Sequence, residues 1–496
     1  MSKLPHIVIF NPDQWRGDVM RHLGNSAAFT PNLDRMAKKD GVSFRNTFCQ
    51  NTVCTPSRCS FMTGLYPHVN GHRTMFNLLN PNEPNLLKNL KKAGYHVWWG
   101  GKNDLLSGQD RHSASYTERF VPPENTSRMW MIDRMNEWRG APEEDSYYSF
   151  YVGKLEKTEG HNHYFDSDWA DVQGAISLIN KHPPENPLCI YLPLTYPHPP
   201  YAVEEPWFSM INRERLPERL PAPEDWSGKP SMLKGIWERQ NLSGLSEERW
   251  TELRAVYYGM CARVDHQFGL LVSALKKAGI YDDTAIFFFS DHGEFAGDDG
   301  IVEKTQNTFE DCLTRVPFVI KPPSWTKTKP GVRDALVELV DFPATVEALT
   351  GLEPEHTHFG RSLLPLIAGE TDEHRGAVFC EGGRLHSELH CAELMDNGKP
   401  FPKESFYWPR ISLQNADGPE HTKAAMCRTH EFKYVKRLYE QDELYDLCVD
   451  PGELKNVESD PEYASILATL KERLSNWLME TNDHVPLNYD QRDFQF

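Results

Sequence analysis

Short apolar and β-branched runs alternate along the chain with stretches of helical period. The clearest runs are Ile7 to Phe10, Tyr95 to Trp99, Leu188 to Leu194 and Ala285 to Phe289. Continuous apolar runs of this length read as strands buried on both faces, which predicts a largely parallel sheet covered by helices on each side. The residues just past each run are more informative. Asn11-Pro12-Asp13-Gln14 succeeds the first, Gly100-Gly101-Lys102 the second, Thr195-Tyr196-Pro197-His198 the third, and Ser290-Asp291-His292-Gly293-Glu294 the fourth. Each polar group therefore stands at the carboxyl end of an expected strand. In open α/β sheets that edge is where ligands bind, so four segments distant in sequence are expected to meet in one crevice.

The length of 496 residues allows a large core and predicts two or three domains, or one large α/β unit with an appendage. Hydrophobic residues make up 39% and charged residues 25%, and no apolar run approaches a membrane span, which is the composition of a soluble globular chain. Leu4-Pro5 leads directly into the first apolar run with no charged leader or small-residue cleavage site, so a cytoplasmic location is expected. Ten cysteines without regular spacing then read as mostly reduced and structural. A formal charge of −18 argues against nucleic acid or an anionic membrane as partner. It also requires any anionic substrate to find a local basic pocket.

One short stretch, Cys54-Thr55-Pro56-Ser57-Arg58, carries candidate chemistry. Thr55 suits a helix N-cap, Pro56 the first helical position and Gly64 the stop, which places Cys54 at the mouth of a short helix. Unpaired N–H groups and the positive end of the dipole make that an anion-binding position, and Arg58 adds a forked cation one turn in. A lone cysteine is more often a small buried apolar residue. Zinc is a second alternative, because Cys54, Cys59, His68 and His72 run in order. The gap from Cys59 to His68 is short for a finger, however, and Gly64 and Pro67 interrupt its helix.

The pattern Cys-x-Pro-x-Arg resembles the signature of the type I sulfatases of the alkaline phosphatase superfamily, in which a maturation enzyme oxidises the cysteine to formylglycine. The resemblance extends over nearly the whole chain. Asp13-Gln14 with Arg16 and Asp18, Thr30-Pro31-Asn32-Leu33-Asp34, and Thr63-Gly64-Leu65-Tyr66-Pro67-His68 match its first half. Glu303-Lys304, Arg315 to Ile320 and Gly360 to Pro365 match its second half. Lys433-Tyr434, Glu443 to Leu447, Asp450-Pro451, Glu453 and Asn456 resemble its terminal subdomain. It implies an α/β, alkaline-phosphatase-like fold with a large, mostly parallel mixed sheet flanked by helices. A smaller C-terminal α+β subdomain with a short antiparallel sheet would come after it, the boundary falling between residues 1–370 and 371–496.

For chemistry, the resemblance implies hydrolysis of a sulfate monoester, aryl or saccharide-like. Asp13, Asp291, residue 54 and a substrate oxygen would hold one divalent cation, with calcium the first choice. The Asp291-His292 pair replaces the commoner Asp-Asn and resembles choline sulfatases, iduronate-type sulfatases and phosphonate monoester hydrolases. A ring nitrogen of His292 in the shell brings manganese or magnesium into range. Pro12 stands where many members carry another carboxylate, and the Asn11 amide oxygen is a candidate replacement. The hydrated formylglycine would attack sulfur, His198 or Lys304 would protonate the departing alcohol, and Lys102, Lys304 and Arg58 would hold the sulfate oxygens. Asp104 stands where many members carry the His that helps to expel sulfate, so it is a candidate base as well as a candidate substrate contact.

Specificity is less defined. His72 and Arg73, soon after the nucleophile helix, are candidates for touching substrate. Residues 103 to 170, with Tyr147-Tyr148-Ser149-Phe150-Tyr151 and His161-Asn162-His163-Tyr164, are a candidate pocket wall. The stretch from Glu381 to Lys423 reads as a long excursion of the small domain, either a lid or a subunit contact. The aromatic tail with Tyr489, Phe494 and Phe496 suits docking on a neighbouring surface, and a homo-oligomer is a candidate assembly. Alternatives to the sulfatase reading are a phosphonate monoesterase or phosphodiesterase using the same groups, and a binding protein whose Cys54 stays unmodified.

Overall fold

The structure is a computed structural model that describes residues 4–108, 114–124, 126, 141, 143–183, 185–395, 398–416 and 418–487. Its strands, in chain order, are β1 (His6–Asn11), β2 (Val42–Phe48), β3 (His96–Gly100), β4 (Glu118–Phe120), β5 (Tyr151–Leu155), β6 (Leu188–Pro193), β7 (Tyr201–Glu204), β8 (Thr284–Phe289), β9 (Arg315–Lys321), β10 (Gly331–Glu338), β11 (Val378–Gly382), β12 (Ala424–Arg428), β13 (Phe432–Arg437) and β14 (Glu443–Asp446). Eight of them form one sheet in the order β10-β2-β9-β8-β1-β6-β3-β4. Within it β9 pairs antiparallel with both neighbours and every other pairing is parallel. The carboxyl ends of β2, β8, β1, β6 and β3 therefore share one edge.

The four expected strands are β1, β3, β6 and β8, and they lie side by side at the centre of the sheet. Alternate side chains of each enter opposite cores, as the two-residue period of a strand requires. Val8, Phe10, Ile190, Leu192, Ile286 and Phe288 face the long helix Glu247–Lys277, where Phe268 meets Phe10 edge-on with ring centroids 5.3 Å apart. Ile7, Ile9, Tyr191, Phe287 and Phe289 face the other side, where Phe61 meets Phe289 at 4.9 Å. Burial on both faces explains why these strands read as unbroken apolar runs.

The chain ends in a four-stranded antiparallel sheet, β11-β12-β13-β14, covered by the helix Ala464–Thr481. Trp477 of that helix stacks on Phe379 of β11 with centroids 4.7 Å apart and meets Tyr66 edge-on at 5.0 Å. The small sheet is thus packed against the turn just beyond the nucleophile helix.

That helix runs Cys54–Thr63 and stops at Gly64, whose φ of 71° only glycine adopts without strain. Its start differs from the sequence expectation. Val53, in extended conformation, holds the N-cap position, and its N–H donates to Oδ1 of Asn51 at 2.9 Å. The turn at Asn51 starts the helix before Thr55, whose hydroxyl donates instead to the Met75 carbonyl at 3.3 Å. Cys54 is therefore the first helical residue.

Candidate active site

The strand-end segments converge as their topology requires. Gln14 N–H donates to Oδ1 of Asp291 at 3.1 Å and Trp15 N–H to Oγ of Ser290 at 2.8 Å, which fastens the segment after β1 to the segment after β8. Ser57 in the first turn of the nucleophile helix donates to the Asp291 carbonyl at 2.6 Å. The result is one buried cluster of Asp13, Cys54, Asp291 and His292, with a ligand-type atom of each within 4.8 Å of the others. The sulfur of Cys54 lies 3.2 Å from Nε2 of His292 and 3.6 Å from Oδ1 of Asp13.

Two carboxylates this deeply buried require cations. Arg58 supplies one: Nη2 donates to Oδ2 of Asp13 at 2.9 Å and Nε to Oδ2 of Asp291 at 2.9 Å. Lys102, after β3, ion-pairs with Asp13 and lies 2.8 Å from Oδ2 of Asp104. Burial alone would raise the Asp13 carboxyl, but Lys102 and Arg58 outweigh it and hold Asp13 well below the usual range. Arg58, expected to hold sulfate, braces the two acids through Nε and Nη2, while its buried Nη1 has no partner.

The donor set fits a divalent cation. Nδ1 of His292 donates to the Gly293 carbonyl at 2.9 Å, so the lone pair is on Nε2, which points at Asp13 and Cys54. Burial, with Lys304 next among the lowering influences, keeps this imidazole neutral. Oδ1 of Asp13, not the oxygen that Arg58 holds, faces Cys54 and His292 as a hard donor, and Asp291 adds a second carboxylate whose Oδ1 also accepts from the Gln14 and His292 N–H groups. Asn11 donates its amide to the Phe289 carbonyl at 2.9 Å, while its buried Oδ1 has no partner.

Cys54 as it stands is a poor nucleophile. Burial first, and the Asp13 carboxylate second, push its thiol far above the ordinary cysteine range. The zinc alternative gains no support: Cys59, His68 and His72 do not join the cluster. His68 binds Glu381 at 2.6 Å, and His72 is engaged by the Asn77 carbonyl and Glu83. Arg73, the other expected substrate contact, pairs with Glu388 at 2.8 Å and with the Gly383 carbonyl.

A second cationic group completes the site. Lys304 Nζ donates to Oε1 of Gln14 at 2.7 Å and sits 2.9 Å from Nε2 of His198, whose Nδ1 donates to the Pro199 carbonyl at 2.6 Å. Burial pulls the ammonium down, but Cys54, Glu303 and Asp13 outweigh it and raise Lys304 overall. Burial and the adjacent Lys304 push His198 well down. At neutral pH Lys304 is therefore the charged member of the pair and His198 the neutral one. Lys102, Asp104 and His198 are the partly exposed members of the group, so the mouth of the site lies on their side.

Several supporting residues were not singled out by sequence. Asp168 accepts from the N–H groups of Thr195 and Tyr196 at 2.8 to 3.0 Å and so fixes the loop that carries His198. Glu294 binds Gln14, takes the Tyr201 hydroxyl at 2.6 Å and takes the Glu303 N–H at 2.7 Å. Asp168 reads as an ordinary helix residue, whereas Glu294 lies within the polar segment after β8. Tyr147 and Tyr148 of the candidate wall reach the Glu404 and Lys403 carbonyls. Residues 109–113, 125, 127–140 and 142 of that wall, residues 396, 397 and 417 of the excursion, and Tyr489, Phe494 and Phe496 lie outside the described residues. All ten cysteines are free, and among the described residues no helix is long and apolar enough to cross a membrane.

The Sulfatase family model matches residues 5–352. A multifunctional alkaline phosphatase superfamily protein of Trinickia caryophylli is 25% identical over 98% of this chain and 97% of its own length. Arylsulfatase K of Gallus gallus is 24% identical over 99% of this chain and 86% of its own. Among solved structures, the phosphonate monoester hydrolase of Agrobacterium radiobacter superposes with a TM-score of 0.75 at 23% identity, covering 96% of both chains.

Proposed function

This chain belongs to the sulfatase family and is a sulfatase enzyme, and from that premise we propose that it hydrolyses a sulfate monoester, aryl or saccharide-like, at a formylglycine derived from Cys54. The observation that carries the reading is the position of Cys54: first residue of a buried helix, its sulfur among Asp13, Asp291 and His292, with the Lys102 ammonium 3.9 Å away. A thiol held protonated there has little use as such, whereas an oxidised side chain would present oxygen to the same groups. Asp13, Asp291, His292 and residue 54 would hold one divalent cation, with calcium, manganese and magnesium as candidates. When bound, the cation would neutralise sulfate charge and favour the ionised form of the attacking hydroxyl.

The chain's own side chains supply the rest. Arg58 fixes Asp13 and Asp291 in register with residue 54, so that neither carboxylate turns toward an incoming anion. Lys102, 3.9 Å from the Cys54 sulfur, and Lys304, whose charge also acts on it, would bind the sulfate oxygens. When attack at sulfur breaks the ester S–O bond, the departing alkoxide or aryloxide needs a proton to leave as the alcohol. The Lys304–His198 pair holds that proton within the site, on the Lys304 ammonium beside the neutral imidazole. Asp104, 2.8 Å from Lys102, is the carboxylate next to the mouth and the candidate base.

A second reading is phosphonate monoester hydrolysis, favoured by His292 in the cluster and by the superposition on the phosphonate monoester hydrolase. Two measurements decide. Intact mass of the Cys54 peptide, after co-expression with a formylglycine-generating enzyme, should show the aldehyde; a plain thiol in active protein would refute the proposal. Initial rates of matured enzyme on an aryl sulfate and an aryl phosphonate monoester should favour the sulfate. A large phosphonate advantage would establish the second reading instead.

A further inference from the structure

We propose that Arg410, from the C-terminal part of the chain, is a positioning residue for the leaving-group acid: it holds Glu303 so that Lys304 stays aimed at His198. The inference rests on the reading of Lys304 and His198 as that acid.

The chain of contacts is continuous and buried. Arg410, Glu303, Lys304 and Glu393 are each 3 to 6% exposed. Arg410 Nε donates to Oε2 of Glu303 at 3.0 Å, while its Nη1 donates to Oε1 of Glu393 at 2.7 Å. The other oxygen of Glu303 lies 3.3 Å from Nζ of Lys304, which is 2.9 Å from Nε2 of His198. Glu393 is itself fixed, because Gln306 and Gln414 both donate to it and its own N–H donates to Gln414 Oε1 at 3.0 Å. Arg410 and Gln414 lie on the helix Trp408–Gln414, within the Glu381 to Lys423 excursion, so this segment reaches the catalytic side of the large sheet. Tyr407, just before that helix, is close enough to Lys304 and Lys102 for their charges to act on its hydroxyl.

Backbone strain points the same way. Glu303 adopts φ 73°, a left-handed conformation that non-glycine residues take only when held there. Its N–H is fixed on Glu294 and its carboxylate on Arg410, which together determine where Lys304 begins. Electrostatics explains the need for Arg410. Glu303 beside Lys304 without a second cation would draw the ammonium to itself, tightening its proton and turning it from His198. Sharing the carboxylate with Arg410 leaves Lys304 directed by Gln14 and His198.

The test uses matured full-length enzyme with aryl sulfates whose leaving groups differ in basicity. A good leaving group such as 4-nitrophenol needs little protonation, whereas phenol needs much. Arg410→Gln should lower kcat on phenyl sulfate by roughly 10- to 100-fold and on 4-nitrophenyl sulfate by less than about 3-fold, with KM little changed. Arg410→Lys should recover part of the loss. Adding Glu303→Gln to Arg410→Gln should also relieve it, because the carboxylate that captures Lys304 is gone. An equal loss on both substrates, or no relief in the double variant, would overturn the proposal. If Arg410→Gln does not fold, the same comparison is read from Arg410→Lys and the double variant. His198→Ala separates the two claims: if it lacks the leaving-group-dependent loss, the acid assignment itself fails; if it shows the loss and the Arg410 variants do not, this inference alone fails.

Discussion

Nε2 of His292 faces the sulfur of Cys54 at 3.2 Å because the other ring nitrogen is spent on the carbonyl of Gly293. One backbone hydrogen bond thereby fixes the tautomer, and a neutral lone pair is presented to the same small volume as Oδ1 of Asp13. Glycine at 293 is required by close approach: a Cβ there would lie 1.9 Å from the Cys312 carbonyl oxygen.

Replacing Cys54 removes the proposed nucleophile and little else. Cys54→Ala should lose turnover by roughly 10⁴-fold or more, while stability falls by only about 1–2 kcal/mol, the cost of a small cavity. Initial rates and a denaturant titration on the same preparation check both; residual activity near wild type would refute the role.

Asp291→Asn keeps the shape of the side chain but removes a charge, and Arg58 retains Asp13 as its partner. Affinity for a divalent cation should fall by more than about 100-fold, with kcat/KM falling in parallel. Metal analysis after dialysis, together with titration of calcium, manganese and magnesium into chelator-treated wild type, measures the loss. The same titration identifies the ion that restores activity.

Arg58 braces two fully buried carboxylates, so Arg58→Met should destabilise the protein by about 3–5 kcal/mol. Combining it with Asp13→Asn and Asp291→Asn should recover much of that stability without activity. Thermal unfolding of the single and triple variants checks this.

Asp171, 1% exposed with no partner for its Oδ1, has its carboxyl raised to about 8 by burial and by Asp168 and Asp166. The folded state therefore holds a proton that the unfolded chain releases near pH 4. Stability should fall as pH rises from about 4 to about 8 and level off above. Asp171→Asn removes this slope and should leave the variant more stable than wild type by roughly 1–3 kcal/mol at pH 9. Denaturant unfolding at pH 5 and pH 9 tests the sign; an equal difference at both pH values would contradict it.

Much of the site was legible because chemistry and topology mark the same positions. Asp13, Lys102, His198 and Asp291 each come directly after an apolar run, and burial on both faces makes such runs readable without knowledge of their neighbours. His72 and Arg73 were legible only as polar residues near the nucleophile. Their partners, Glu83 and Glu388, were not legible, because those pairings form only when the chain folds. Arg410 gave no signal, because nothing local distinguishes an arginine that meets Glu303 from one that meets water.

By itself, then, the sequence determined the parallel core strands, the polar groups at their carboxyl ends and the short helix carrying Cys54, since each arises from local period, turn chemistry or residue type. Tertiary structure alone decided that Arg58 braces two acids, that Glu303 is shared between Lys304 and Arg410, and which nitrogen of His292 is free. These are pairings between residues as many as 233 positions apart, and their energies depend on mutual distance and exclusion of water, quantities that exist only once the chain has folded.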